Sequence, residues 1–209
     1  MSISQNPMTG QMRKSMANFN TYVHRGQNVV SSKAFNRKDK NSESQKAQRA
    51  SFKLMGDVWA SMGGYAEGGF PIRPEKLSAY NYFMTLNLPN AIDNSGDAPA
   101  INFKLLQVAK GTCPVVNVNS AIVNETGLTL SCTTNIDFPY AAADDLVTVL
   151  VKCKTGALYA IREPRGSEVT CSYQLPMPNL AQENIEFIYA FVTTADGKKA
   201  SNSMYVEVS

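Results

Sequence analysis

From residue 100 onward the chain alternates apolar and polar side chains with a period of two, and this repeat most restricts what it can fold into. Leu128, Leu130 and Cys132 alternate with Thr129, Ser131 and Thr133, and Val147, Val149, Val151 and Cys153 alternate with Thr148, Leu150 and Lys152. Successive side chains of a strand point to opposite faces, so such a repeat puts one set on a core. Residues 101–105 alternate in the same way, and strand-like pieces follow at 157–162, 167–175, 185–194 and 200–208. The last two flank Ala195-Asp196-Gly197-Lys198-Lys199, where Asp-Gly supplies the left-handed residues of a tight hairpin. About seven short strands with turns between them predict an antiparallel β-sandwich, immunoglobulin-like or fibronectin type III-like. Antibody domains bury a Trp in the sandwich. The single Trp here, Trp59, lies outside it, which favours the fibronectin type III style.

The first hundred residues have a different character. Residues 1–15 are polar, with Pro7 and Gly10, and read as an extended tail. A β-hairpin is predicted over 16–33, turning at Arg25-Gly26-Gln27, and 34–41 reads as a polar connector. Ser42 followed by Gln45 has the form of a capping box. Beyond it Ala47, Ala50, Leu54, Val58 and Met62 make one apolar row at helical spacing, with Phe52, Met55 and Trp59 beside it. The glycine-rich run 63–69 ends this helix and reads as a flexible joint. A second helix is predicted over 74–87, with Pro74 in its first turn and Pro89 stopping it. The expected fold is mainly β with a helical N-terminal half. It comprises a basic arm with a β-hairpin (1–41), a two-helix segment with a glycine-rich joint (42–98), and the β-sandwich (99–209).

Charge divides along the same line. Residues 1–53 hold ten Lys or Arg against two acids, a net +8, whereas 54–209 carry a net −5. Charged residues make up only 18% of the chain, against roughly 25% in an ordinary soluble domain, as expected where much of the surface faces other protein. The candidate contact residues are therefore Arg13, Lys14, Tyr22, Arg25, Lys33, Arg37, Lys38, Lys40, Lys46, Arg49 and Lys53. Lys46, Arg49 and Lys53 recur at i, i+3 and i+7 and share one helix face. Three readings fit this segment. It is an arm that docks on the acidic body of a neighbouring subunit, a contact for the phosphate backbone of nucleic acid, or a solvated basic face.

Catalytic chemistry finds little footing. There is no GxSxG, GxxxxGK[ST] or HExxH, and the glycine run is not GxGxxG. Any imidazole chemistry rests on His24, the only histidine, beside Arg25 at the predicted hairpin tip, where a cation disfavours the protonated ring that a general base must become. His24 is read as a surface or interface residue. The four cysteines, at 113, 132, 153 and 171, form no CxxC pair and read as small buried hydrophobes rather than a zinc site or disulfides. Asp144-Asp145, with Asp137 nearby, read as a solvated acidic loop rather than a Ca²⁺ site. Glu163-Pro164-Arg165-Gly166 reads as a turn. No catalytic residue, metal or cofactor is expected. The longest apolar run, 187–192, is far short of the roughly 20 residues of a membrane span, and no secretory signal opens the chain, so neither a membrane partner nor export is expected.

Four segments together are similar to a known family. They are the hairpin Tyr22-Val23-His24-Arg25-Gly26-Gln27-Asn28-Val29-Val30, the stretch Gln45-Lys46-Ala47-Gln48-Arg49 leading to Phe52, the segment from Leu77-Ser78-Ala79-Tyr80-Asn81 to Leu86-Asn87-Leu88-Pro89-Asn90-Ala91-Ile92, and Ala195 to Tyr205. Over nearly its whole length the chain resembles uncharacterised proteins of about this size encoded by Bacteroidota, their phages and mobile elements. It departs from them in its Met-rich opening and its four cysteines. The resemblance implies one architecture, an N-terminal hairpin, a helical middle and a C-terminal sandwich, and a phage context. It brings no catalytic residues with it. The expectation is a non-enzymatic virion protein, assembled in the bacterial cytoplasm as a subunit of a head–tail connector ring, a collar, or a tail or capsid accessory. Its partners would be other copies of itself and neighbouring virion proteins, with DNA reached through the arm and no small-molecule substrate. The alternative is a nucleic-acid-binding protein of a phage or mobile element.

Overall fold

The structure, a computed structural model, describes residues 2–4, 14–16, 18–33, 41–96, 98–124, 126–177 and 182–207. It falls into two compact units, Met1–Ser42 and Glu43–Ser209.

In the first unit the predicted hairpin is present as β3 (Phe19–His24) and β4 (Gln27–Ser32), antiparallel with His24 opposite Gln27. The two residues between them, Arg25 and Gly26, both have positive φ (51° and 80°). This matches the twist that a two-residue hairpin loop needs. The tail expectation is corrected here. Ser2–Ser4 (β1) pairs with β4 and Lys14–Met16 (β2) pairs with β3, giving a four-stranded antiparallel sheet of order β1-β4-β3-β2. Three-residue strands carry too little alternation to stand out in sequence.

The second unit is built on two sheets, and the sandwich expectation holds. One sheet has the order β11 (Thr170–Pro176), β8 (Gly127–Thr133), β7 (Asn117–Asn124), all antiparallel. The other runs β10 (Leu158–Pro164), β9 (Leu146–Cys153), β12 (Ile185–Thr193), β13 (Met204–Tyr205). In chain order this is a three-plus-four arrangement of the fibronectin type III style. Leu128, Leu130, Tyr173 and Leu175 of the first sheet share a core with Val147, Val149, Val151, Ile188, Ala190 and Val192 of the second.

The opposite face of the four-stranded sheet is covered as well. Leu150, Phe187, Tyr189 and Phe191 pack with Met55, Val58, Met62, Phe70, Phe83 and Met84 of the helical layer. With both faces buried, β12 is apolar at every position from 187 to 192, which explains the longest apolar run in the chain. The helices are α1 (Glu43–Ser61), a single turn α2 (Tyr65–Gly68) and α3 (Ala79–Asn87). They lie in the middle of the chain, so a helical N-terminal half is corrected to an N-terminal sheet followed by central helices.

Other boundaries also shift. α3 starts at Ala79 rather than at Pro74, because Ser78 is extended and its hydroxyl accepts from Asn81 N at 3.1 Å, capping the helix. The 63–69 run is a packed elbow rather than a flexible joint. Ala66 and Phe70 are fully buried, and Gly69 lies against the Val108 carbonyl so closely that a Cβ would collide with it. Residues 101–105 are not a strand of the sandwich. Only Ala100–Ile101 (β6) pairs, with Ile92–Asp93 (β5), before the chain turns. The last piece, 200–208, shortens to β13 and a lone bridge between Thr193 and Ala200.

Candidate interface on the basic arm and helix

Two of the basic side chains of the first unit fall on or beside its hairpin. Arg25 occupies the left-handed turn position, and Lys33 follows β4 directly, its amide donating to Asn18 O at 2.7 Å. Both are exposed, as is His24. The aromatics of β3 stand out from the sheet, with Phe19 at 52% and Tyr22 at 41% exposure. Since their positions differ in parity, they lie on opposite faces. Lys14 lies in β2. Arg13, Arg37, Lys38 and Lys40 lie outside the described residues.

Lys46, Arg49 and Lys53 share one exposed face of α1 in the second unit. The helix uses its length unevenly. Ser51, Met55 and Val58 are buried, but every residue from 43 to 50 is exposed. The apolar row read from sequence is thus half correct, since Val58 and Met62 reach the core while Ala47 and Ala50 do not. Phe52 is 47% exposed beside the bases. It borders a groove of about 550 Å³ that also touches Ala47, Leu88, Pro89 and Ile92. This surface combines fixed positive charge with an exposed ring, a pairing suited to acidic protein or to phosphate and base.

The acidic loop is corrected in part. Asp144 is exposed, but Asp145 is buried at 1%. Its Oδ2 accepts from Ala142 N at 3.0 Å and lies 3.3 Å from Arg165 Nη2. Arg165 is equally buried and donates to Thr134 O at 2.9 Å and Pro114 O at 2.6 Å. The turn with no assigned role is therefore a clamp that ties three loops at one end of the sandwich. Beside it Phe138 (60%) and Tyr140 (85%) are exposed, with Lys199 Nζ 5.8 Å from the Tyr140 ring centre.

All four cysteines are free thiols. Cys113, Cys132 and Cys153 are buried, while Cys171 is half-buried. Burial, with Cys171 beside it, pushes the Cys132 thiol up to about 12, and burial raises Cys113 and Cys153 as well. These are poor nucleophiles and poor metal ligands, since both roles need the thiolate. Among the described residues no three His, Cys, Asp or Glu side chains gather as a metal site, and no helix is long and apolar enough to cross a membrane.

Against known families, residues 11–207 match the model of a family of unknown function (DUF6266). The chain belongs to that family. The match takes in the hairpin, the helical layer and the sandwich together, so the DUF6266 unit is the whole architecture and not the sandwich alone. No curated protein and no solved structure matches this DUF6266 chain.

Proposed function

We propose that the chain is a non-enzymatic assembly subunit whose basic N-terminal unit docks on the acidic unit of another copy. The observation that carries this is the coincidence of charge with architecture. Met1–Ser42 holds seven bases and one acid, a net +6, while Glu43–Ser209 holds thirteen bases and sixteen acids, a net −3. Opposite charge on two compact units of one chain steers copies together and favours head-to-tail contacts, which close into rings where the rotation allows. The exposed rings of the hairpin, Phe19 and Tyr22, supply the apolar anchors that such contacts use. The proposed setting is a phage particle, as a connector ring, collar or accessory subunit, and its support is the resemblance of the sequence to proteins encoded by Bacteroidota and their phages.

Light scattering and electron microscopy of the purified protein test this. Rings or defined oligomers that dissociate with added salt are expected. A strict monomer that is also missing from purified particles by mass spectrometry overturns the reading. Nucleic-acid binding is the second reading, favoured by Lys46, Arg49 and Lys53 flanking Phe52 among the exposed residues of α1. It predicts DNA affinity whose logarithm falls linearly with log salt and which drops on removal of residues 1–40. No affinity at low salt excludes it.

A further inference from the structure

The helix-facing side of the β10-β9-β12-β13 sheet is apolar through its centre and polar at one end. Arg162 of β10 sits opposite Thr148 of β9, which sits opposite Phe191 of β12. Thr193 follows two residues on, and Arg162 Nη2 donates to its Oγ1 at 3.3 Å. Thr148, Phe191 and Thr193 are buried, while Arg162, on the edge strand, is exposed at the mouth. A buried position facing a helical layer is ordinarily filled by an apolar side chain that closes the space. Here the polar row instead lines a cavity of about 330 Å³ between the sheet and α2, a volume within the ordinary range of small-ligand sites.

Three features suit the cavity to an anion. Arg162 is exposed and offers five N–H donors; among the described residues it makes no ion pair and one side-chain hydrogen bond, to the neutral Thr193 hydroxyl. Thr148 lines the cavity at 3% exposure, a buried hydroxyl-bearing residue beside the arginine. On the helical side the wall is Gly64 and Gly68, where an added Cβ meets nothing within 4 Å. Ordinary residues would fit there and fill the space, yet the chain has glycine at both positions. The remaining walls are rings, Phe191 at the base and the half-exposed Tyr65 at the rim.

We propose that this cavity binds a small carboxylate with a planar apolar body, the carboxylate on the Arg162 guanidinium and the Thr148 and Thr193 hydroxyls, and the body against Phe191 and Tyr65. The arginine fork matches a carboxylate in two parallel hydrogen bonds. The rings match a flat apolar group. The site is independent of the assembly reading, since it uses no residue of the arm or of the basic face of α1.

The test is titration of the full-length protein with benzoate, phenylacetate and inorganic phosphate, followed by calorimetry and by amide and Arg side-chain NMR. Benzoate or phenylacetate is expected to bind at millimolar concentration or below and to shift Gly64, Gly68 and the Arg162 Nε resonance, with phosphate much weaker. Arg162→Gln should weaken binding roughly tenfold or more. Gly68→Leu should abolish it while leaving the melting temperature unchanged or raised, because a helical glycine is replaced by a better helix former. No binding of either aromatic carboxylate, equal binding of phosphate, or wild-type affinity in Arg162→Gln each overturns the proposal.

Discussion

At the level of single residues, the sandwich is held at one end by a charge pair taken out of water. Arg165 and Asp145 are each buried at 1%, and the guanidinium satisfies its Nη atoms on Asp145, Thr134 O and Pro114 O while Nε finds no partner among the described residues. Removing one member of such a pair strands the other. Arg165→Ala should therefore cost about 3–5 kcal/mol in urea unfolding, whereas an apolar double replacement, Asp145→Leu with Arg165→Met, should be more stable than either single variant. A double variant no better than Arg165→Ala would show that the loop hydrogen bonds, not the ion pair, hold this end. Sequence did not show this. Asp144-Asp145 reads as a solvated acidic loop because two carboxylates in a polar loop can both face water, and the buried partner of Asp145, twenty residues on, carries no local signature. The cysteines give a second prediction at this scale. Cys132 and Cys171 face each other directly across β8 and β11, and only Cys171, on the edge strand, reaches the surface. Because the thiolate is the species that reacts, iodoacetamide at mildly alkaline pH should label Cys171 well before Cys132, read by peptide mass spectrometry. Equal rates in the folded protein would contradict the burial that raises Cys132.

Among the elements, the β7–β8 hairpin shows what period-two reading can and cannot see. β8 follows its alternation faithfully, with Leu128, Leu130 and Cys132 all buried, and was legible for that reason. β7 was not, because a bulge lies between Val118 and Ser120. An extra residue there moves the inward positions from Val118 to Ala121 and Val123, so the parity changes within the strand and the pattern breaks. Residues 101–105 show the converse. Their alternation is real, but Phe103 and Leu106 turn into the helical core instead of pairing with a strand. Periodicity reports which side chains seek burial and not what covers them. The same limit hid the Arg162 cavity, whose parts come from three strands and a helical turn. At the hairpin itself, Gly127 has φ +140°, and an added Cβ would meet the Leu175 carbonyl of β11. Gly127→Ala should thus impose both strain and collision, lowering stability by at least ~2 kcal/mol in chemical denaturation. An unchanged midpoint would mean that β11 can draw back from the turn.

Over the whole molecule, five buried thiols and phenols of the Glu43–Ser209 unit lean one way, and this gives its stability a direction in pH. Cys113, Cys132, Cys153, Tyr173 and Tyr189 are all raised, with burial the largest cause in each. Each is neutral when protonated, so the folded chain holds its protons more tightly than the unfolded one. Below the ordinary thiol value of 9.0 both states are protonated and the stabilisation is complete. As pH climbs through 9.0 for the thiols and 10.0 for the tyrosines, the unfolded chain releases protons that the folded chain keeps, and stability falls toward the raised values. The acid side differs. Asp93 and Asp196 are lowered by hydrogen bonds from their own turns, but both are fully exposed. What they contribute is present above the ordinary carboxylate value of 3.8 and is lost only below it. The urea midpoint should therefore stay nearly level from weakly acid to mildly alkaline pH and then drop steeply above about pH 9, each fully buried group adding up to ~1.4 kcal/mol per pH unit. Cys132→Val should make that drop shallower while leaving the neutral plateau in place. A midpoint that stays level well beyond pH 10, or a slope in Cys132→Val equal to that of the parent, would mean that water reaches these groups in the folded state and that the sandwich interior is more open than its packing implies.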